Sequence, residues 1–136
     1  MSKEEIKILL VDDEKQFVDT LAERLAMRGF SARVAYDGPQ ALKAVEEPTD
    51  VIVLDLRMPG MDGFEVLRSV KKSNPQVQVI ILTGHGGDAE EQTAYRMGAY
   101  NFLKKPMDID ELLNSIRMAY RDYPAKRLPL PITSFS

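Results

Sequence analysis

Short apolar runs alternate along this chain with longer stretches that mix apolar and polar residues. Three strongly apolar runs lie at residues 6–11, 51–54 and 77–82, and two weaker ones lie at 32–35 and 100–103. Because the strong runs have no polar face, they are typical of strands buried on both sides, as in a parallel sheet covered by helices. The pattern therefore predicts a sheet of five strands.

Helical periodicity of about 3.6 residues fills the segments between these runs. Gly29 provides a stop for the first helix, and Asp108 is the predicted cap of the last one. The predicted helices cover, in chain order, residues 17–25, a segment that starts at Asp37-Gly38-Pro39, about 64–72, about 89–97, and 109–120. This alternation predicts an α/β fold, in which a parallel sheet lies between two layers of helices joined by right-handed crossovers.

Composition narrows the class of protein. The chain has 136 residues and no cysteine, which fits one domain and excludes disulfide, thiolate-zinc and cysteine-nucleophile chemistry. Its net charge of −3 and its lack of a long apolar run predict a cytoplasmic protein that binds no nucleic acid directly and no membrane. We expect one domain over residues 1–121, followed by an irregular tail or linker stub over 122–136 that holds three of the eight prolines.

Polar residues follow the predicted strands at their carboxyl ends, where an open parallel sheet binds its ligands. They are Asp12, Asp13, Asp55, Thr83, Lys104 and Lys105. Three carboxylates in one pocket repel each other and need a cation, and oxygen ligands without His or Cys favour Mg²⁺. A lysine beside them suits a phosphate oxygen, but neighbouring strand residues point to opposite faces, so only one of the two lysines can enter. The set predicts a phosphoryl site with a carboxylate nucleophile.

Most of these residues also have an ordinary structural explanation. Asp12 or Asp13 could cap the first helix, Thr83 is a common strand residue, and the lone histidine, His85, is expected to be solvated. Asp55 is harder to explain in this way, because a carboxylate that follows a buried strand is costly unless it is paired or bound to a metal. The functional interpretation therefore rests on the convergence of the whole set.

Four segments resemble, in the same order, the motifs of the receiver domains of two-component response regulators. They are Val11-Asp12-Asp13-Glu14, Leu54-Asp55-Leu56-Arg57-Met58-Pro59-Gly60-Met61-Asp62-Gly63, Leu82-Thr83-Gly84 and Lys105-Pro106. The resemblance covers residues 6 to about 121. It implies a flavodoxin-like (βα)5 fold with strand order 2-1-3-4-5. It also implies a signalling switch that promotes its own phosphorylation and dephosphorylation, with no separate substrate turnover.

The resemblance also implies how the carboxylates divide the work. Asp55 would accept a phosphoryl group from a sensor histidine kinase or a phosphotransfer protein. Asp13 would be the main direct Mg²⁺ ligand, assisted by Asp12, Asp55 and the backbone carbonyl of Arg57. The sequence thus predicts phosphorylation at one aspartate in a reaction that depends on Mg²⁺.

Three further residues have implied roles in the response to phosphorylation. The family has its lysine immediately before a proline, which selects Lys105 over Lys104 as the residue that holds the phosphoryl oxygens. Thr83 would move to hydrogen-bond the phosphorylated side chain, and Phe102 would be an aromatic switch that turns inward behind it. The face made by the fourth helix, the fifth strand and the fifth helix would then change for an output partner that the sequence does not name.

Two other functions share parts of this pattern. The main alternative is an Mg²⁺-dependent aspartyl-phosphate phosphatase or phosphotransferase; the haloacid-dehalogenase type needs a second aspartate two residues after the nucleophile, where this chain has Arg57. A flavin-binding module of the same fold is disfavoured, because an acidic pocket would repel the cofactor phosphate. The sequence also lacks the P-loop and dinucleotide-binding glycine patterns.

Overall fold

The computed structural model describes residues 5–122, which run through five successive β-α units. The elements are β1 (Ile8–Val11), α1 (Lys15–Met27), β2 (Ala32–Ala35), α2 (Gly38–Ala44), β3 (Val51–Leu54), α3 (Gly63–Ser73), β4 (Gln78–Thr83), α4 (Asp88–Arg96), β5 (Asn101–Lys104) and α5 (Ile109–Arg121). The predicted alternation is thereby confirmed. Apart from Asp122, the predicted tail lies outside the described residues.

All five strands pair in parallel, in the order β2-β1-β3-β4-β5. This confirms both the α/β class and the implied strand order. The central strands β1 and β3 end together, because Val11 pairs with Leu54 at the last position of their register. The residues that follow these two strands, Asp12 and Asp55, are therefore brought side by side.

Each face of the sheet packs against its own layer of helices, because successive strand residues point to opposite faces. On one face, Leu9, Ile52 and Ile81 belong to a core with residues of α2, α3 and α4. On the other face, Leu10 and Val53 belong to a second core with residues of α1 and α5. Every residue of β1, β3 and β4 is buried, which explains why these strands have no polar face in the sequence.

Local signals set several helix starts. Asp37 begins α2 by accepting a hydrogen bond from the backbone N–H of Gln40 at 2.8 Å. Asp62 begins α3 in a reciprocal capping box with Glu65, in which each side chain accepts from the other residue's N–H at 3.0 Å. Asp108 stands at the N-cap of α5 but its side chain makes no capping hydrogen bond, so the prediction that Asp108 caps this helix was wrong about the contact.

Candidate functional site

Three carboxylates converge at the carboxyl edge of the sheet. Oxygen atoms of Asp12, Asp13 and Asp55 all lie within 4.8 Å of one another. The sheet ladder continues past both strands, since Asp12 N donates to Ala35 O at 3.1 Å and Asp55 N donates to Val11 O at 3.0 Å. The backbone thus fixes the two buried aspartates, while Asp13 is partly exposed.

This carboxylate set fits a magnesium ion. Mg²⁺ binds oxygen at about 2.1 Å in octahedral geometry, so its opposite ligands lie about 4.2 Å apart. Donor oxygens spread over no more than 4.8 Å need only a small adjustment to meet that requirement. Neither His nor Cys is among the three residues, which suits a hard cation.

Lys105 is the cation that the structure brings to these carboxylates. Its Nζ donates to Asp12 Oδ2 at 2.7 Å and to Glu14 Oε1 at 2.9 Å, and it lies 3.8 Å from Asp55 Oδ2. The ammonium also lies 4.3 Å from the centre of the Phe17 ring. Its backbone is held at the sheet edge by a hydrogen bond from Lys105 N to Thr83 O, and the peptide bond to Pro106 is cis. The neighbouring Lys104 is exposed.

The charges of this pocket shift each other's proton affinities. Burial raises the pKa of Asp12, although its hydrogen bond from Lys105 opposes that effect. Burial tends to lower the pKa of Lys105, but hydrogen bonds to Asp12 and Glu14 outweigh it and the pKa is raised. The same contact with Lys105 lowers the pKa of Glu14. Lys105 therefore stays charged at neutral pH.

Thr83 and Phe102 lie on the strands beside the acidic cluster. Thr83 is fully buried at the end of β4, where its Oγ1 accepts a hydrogen bond from His85 N at 3.2 Å. Phe102 in β5 is 7% exposed and belongs to the core under α4, with its ring next to Gly86. The ring thus occupies a buried position in this structure, and its role as a switch stays a prediction.

Arg57 lies in the loop that follows Asp55. Its side chain is exposed, and its backbone N–H makes a long hydrogen bond of 3.4 Å to Asp55 Oδ1. This contact joins the start of the loop to the Asp55 side chain. The predicted role of the Arg57 carbonyl as a metal ligand is not tested by this geometry.

Two residues of the site, Gly63 and Glu14, belong to the quoted motifs but have no role predicted from the sequence. Gly63 begins α3 directly against the backbone that carries Asp55: a Cβ there would lie 2.6 Å from Leu56 Cα and closer still to Asp55 O. The sequence signal for this close approach is a glycine one residue after Asp62, the N-cap of α3. Glu14 contacts Lys105 across 91 residues of sequence, and no pattern in the sequence indicates this pairing.

Comparison with known proteins identifies the family. Residues 8–117 match the family described as response regulator receiver domain. The chain therefore belongs to the receiver domains of two-component response regulators. Receiver domains are signalling switches that histidine kinases phosphorylate, and they bind Mg²⁺ at an acidic pocket.

Individual relatives are similar over most of this chain but are longer. The transcriptional regulatory protein CpxR of Escherichia coli K12 is 37% identical over 115 residues, which make up 85% of this chain and 49% of CpxR. The DNA-binding transcriptional regulator NtrC of the same organism is 35% identical over 123 residues, or 90% of this chain and 26% of NtrC. The chain thus spans about half the length of the first relative and about a quarter of the second.

A solved structure supports the same assignment. The receiver domain of NtrX from Brucella abortus is 34% identical and superposes with a TM-score of 0.78, covering 84% of this chain and 98% of that domain. Within residues 5–122, no helix is both long and apolar enough to cross a membrane.

Proposed function

We propose that this receiver is a switch in which Asp55 accepts a phosphoryl group from the phosphohistidine of a sensor kinase or a phosphotransfer protein. The observation that carries the proposal is the arrangement around Asp55. Its side chain is 5% exposed, it shares an acidic cluster with Asp12 and Asp13, and its Oδ2 lies 3.8 Å from the Lys105 ammonium. A buried carboxylate in this position is costly unless it is paired or bound to a cation.

Hydrogen bonding favours Asp55 over Asp12 as the nucleophile. Asp12 has both oxygens engaged, one by Glu14 N at 2.9 Å and the other by Lys105 Nζ at 2.7 Å. Within residues 5–122, the Asp55 side chain accepts only the long hydrogen bond from Arg57 N at 3.4 Å, and its ion pair with Lys105 is longer than a hydrogen bond. The Asp55 oxygens are therefore the more available to attack phosphorus.

The transfer is a displacement at phosphorus. An Asp55 oxygen forms a bond to phosphorus while the N–P bond of the donor phosphohistidine breaks, and the imidazole nitrogen keeps that electron pair. Lys105 needs only a short movement to place its Nζ on an oxygen of the new acyl phosphate. There its charge offsets the dianion that Asp55 has acquired.

Magnesium would be held by Asp12, Asp13, Asp55 and the backbone carbonyl of Arg57. When bound, it neutralises negative charge on the phosphoryl oxygens during transfer. Among the three carboxylates, Asp13 is the partly exposed one, and no hydrogen bond within residues 5–122 engages its side chain. This freedom supports Asp13 as the main direct ligand.

The output face would be α4, β5 and α5. Tyr95 OH in α4 donates to Asn101 Oδ1 in β5 at 3.2 Å, and Asn101 Nδ2 donates to Ser115 Oγ in α5 at 3.0 Å. These side chains link the three elements in series. A displacement of Thr83 toward a phosphoryl group, followed by adjustment of Phe102 in β5, would therefore reach both helices.

A switch of this kind acts on partners and needs no steady turnover of a small substrate. Arg57 stands two residues after the nucleophile, and a guanidinium cannot serve as the acid and base that an aspartyl phosphatase needs there. We propose that the domain works in the cytoplasm and binds neither nucleic acid nor membrane itself. The name of NtrC describes it as DNA-binding, but this name applies to the whole of NtrC, and this chain matches about a quarter of it.

The test is incubation with acetyl phosphate and Mg²⁺, followed by intact-mass measurement. Wild type should gain one phosphate, and Asp55→Asn or chelation of the metal should abolish the gain. Asp88→Asn removes an exposed carboxylate from the first turn of α4 at the same sheet edge and should leave it intact. Incorporation into Asp55→Asn at the wild-type level would show that Asp55 is not the acceptor.

A further inference from the structure

Glu14 does not make the hydrogen bond that is usual for a residue at its position in a helix. It is the N-cap residue of α1, where side chains commonly accept a hydrogen bond from the first turn of the helix. The Glu14 side chain makes no such bond. Its Oε1 instead accepts from Lys105 Nζ at 2.9 Å. The carboxylate therefore contacts the lysine of the site and not the amide groups of its own helix.

The ammonium of Lys105 is nearly fully committed in this structure. It has three N–H donors, of which one points to Asp12 Oδ2 at 2.7 Å and another to Glu14 Oε1 at 2.9 Å. The Phe17 ring lies 4.3 Å away. Asp55 Oδ2, at 3.8 Å, lies beyond hydrogen-bond distance. In the unphosphorylated state the lysine is thus held next to Asp55 without bonding to it.

The two carboxylates that hold Lys105 differ in how easily they can be released. The side chain of Asp12 is 5% exposed, so losing its partner would leave a buried charge unpaired. The side chain of Glu14 is 64% exposed, so water can replace the lysine at little cost. When Lys105 turns to a new anionic oxygen on Asp55, the contact with Glu14 is the one to give way.

We propose that Glu14 is a positioning residue that holds Lys105 away from Asp55 at rest and competes with the phosphoryl group for it. The proposal rests on the proposed roles of Asp55 and Lys105. Its consequence is that removing the Glu14 carboxylate favours the phosphorylated state. An exposed ion pair is a weak competitor, so the gain should be about two- to five-fold.

The first experiment measures the affinity for beryllofluoride, a phosphoryl mimic, in the presence of Mg²⁺. Glu14→Gln keeps the length of the side chain and should bind the mimic about two- to five-fold more tightly than wild type. Asp88→Asn removes an exposed charge from the same edge of the sheet without touching Lys105, and it should change the affinity by less than about 1.5-fold. Unchanged or weaker binding by Glu14→Gln would overturn the proposal.

A double-mutant cycle separates positioning from the loss of a negative charge near an anion site. In the Lys105→Met background, where beryllofluoride affinity in the presence of Mg²⁺ is measured again, Glu14→Gln should have no effect. A gain that persists without Lys105 would mean that charge alone explains it, and the proposal would fall.

In protein with ¹³C-labelled lysine, Glu14→Gln should move the Lys105 Cε resonance toward its position in the beryllofluoride complex, and an unmoved resonance would count against positioning.

Failure of the proposed function would look different. If Asp55 is not the acceptor, Asp55→Asn would take up phosphate and bind beryllofluoride like wild type, whatever residue stands at position 14. If Asp55 is the acceptor but Glu14 does not compete, Asp55→Asn would lose both activities while Glu14→Gln behaves like wild type.

Discussion

The two edges of the sheet use charged side chains in opposite ways. At the amino edge, Arg33 donates to Ala44 O at 2.7 Å and Pro48 O at 3.2 Å, and Lys71 Nζ donates to Pro75 O at 2.8 Å and Val77 O at 3.0 Å. These cations donate to neutral oxygens, which for Arg33 include Thr49 Oγ1, and they hold the loops that follow α2 and α3 in place. At the carboxyl edge, charged groups face each other: the Lys105 ammonium pairs with Asp12, Glu14 and Asp55, and Asp13 joins two of these carboxylates in the acidic cluster.

The difference explains why the carboxyl edge is the candidate site. Hydrogen bonds from a cation to backbone carbonyls satisfy both partners and leave nothing for a ligand to complete. A cluster of carboxylates with too little positive charge is stabilised by any cation that enters it. We therefore expect side chains at the amino edge to contribute to the stability of the fold and not to ligand binding. Side chains at the carboxyl edge should lower stability in the absence of a ligand and provide binding.

Replacing one lysine at each edge by methionine tests this contrast directly. Lys105→Met should weaken beryllofluoride binding about ten- to hundred-fold, because a charge-assisted hydrogen bond is worth about 1.5–3 kcal/mol. Lys71→Met should leave that affinity unchanged and lower the free energy of unfolding by about 1–2 kcal/mol, since two carbonyls lose their donor. Titration with the mimic and urea unfolding give the two quantities. Loss of affinity in Lys71→Met would remove the distinction between the edges.

A substitution at Gly63 tests whether the carboxyl edge has room to relax. Because a Cβ would collide with the backbone of Leu56 and Asp55, Gly63→Ala should cost about 1–3 kcal/mol of unfolding free energy. The matched control is Gly87→Ala, where the nearest atom would be the end of the Glu90 side chain at 3.9 Å. Both are measured by urea denaturation. Equal midpoints for the two variants would contradict the close packing at Gly63.

Removing one carboxylate should sharpen the contrast in stability. Asp13→Asn relieves repulsion in the metal-free cluster, so we expect it to raise the free energy of unfolding by about 1 kcal/mol in the presence of a chelator. The same variant should lose most of the stabilisation that millimolar Mg²⁺ confers on wild type. Thermal unfolding with and without Mg²⁺ measures both effects. A wild-type melting temperature that does not change when Mg²⁺ is added would contradict a metal site.

We predict that the exposed side chains of Arg57 and His85 flank the mouth of the pocket, because they lie two residues after Asp55 and Thr83; a water that attacks the phosphoryl group must enter there. We expect the Arg57→Ala, His85→Ala double variant to be phosphorylated normally and to lose its phosphate about three-fold faster than wild type, less than 1 kcal/mol of barrier. Decay of the phosphorylated mass gives the rate. A half-life equal to or longer than that of wild type would show that these side chains do not shield the site.

The smallest expected effect is a pH dependence of stability from Asp12. Burial raises its pKa in the folded state, so its favourable contribution is complete below the ordinary carboxyl pKa and is lost as pH rises through the raised value. Without metal, the stability of Asp12→Asn relative to wild type should therefore increase from about pH 4 upward. The gain should be smaller than that of Asp13→Asn. Unfolding in a chelator across this range tests it, and a pH-independent difference would refute it.

Much of the site could be anticipated from sequence because its acidic residues belong to the ends of strands. A buried apolar run such as 51–54 predicts a strand, and a parallel sheet brings the residues that follow such strands to one edge. The sequence alone therefore predicts that Asp12, Asp13 and Asp55 lie together, as the structure shows. It left Lys104 and Lys105 as rivals, and the family resemblance, followed by the structure, settled which of them meets the carboxylates.

What the sequence determined by itself was therefore the α/β alternation, the parallel sheet and the acidic edge, because local periodicity and burial report these directly. The strand order needed the family resemblance, and the pairing of Glu14 with Lys105 and the tight approach at Gly63 appeared only in the tertiary structure. Contacts of this kind join residues far apart in the chain, or depend on how closely a helix start approaches a strand end. Packing decides them, and no local pattern of apolar and polar residues records its outcome.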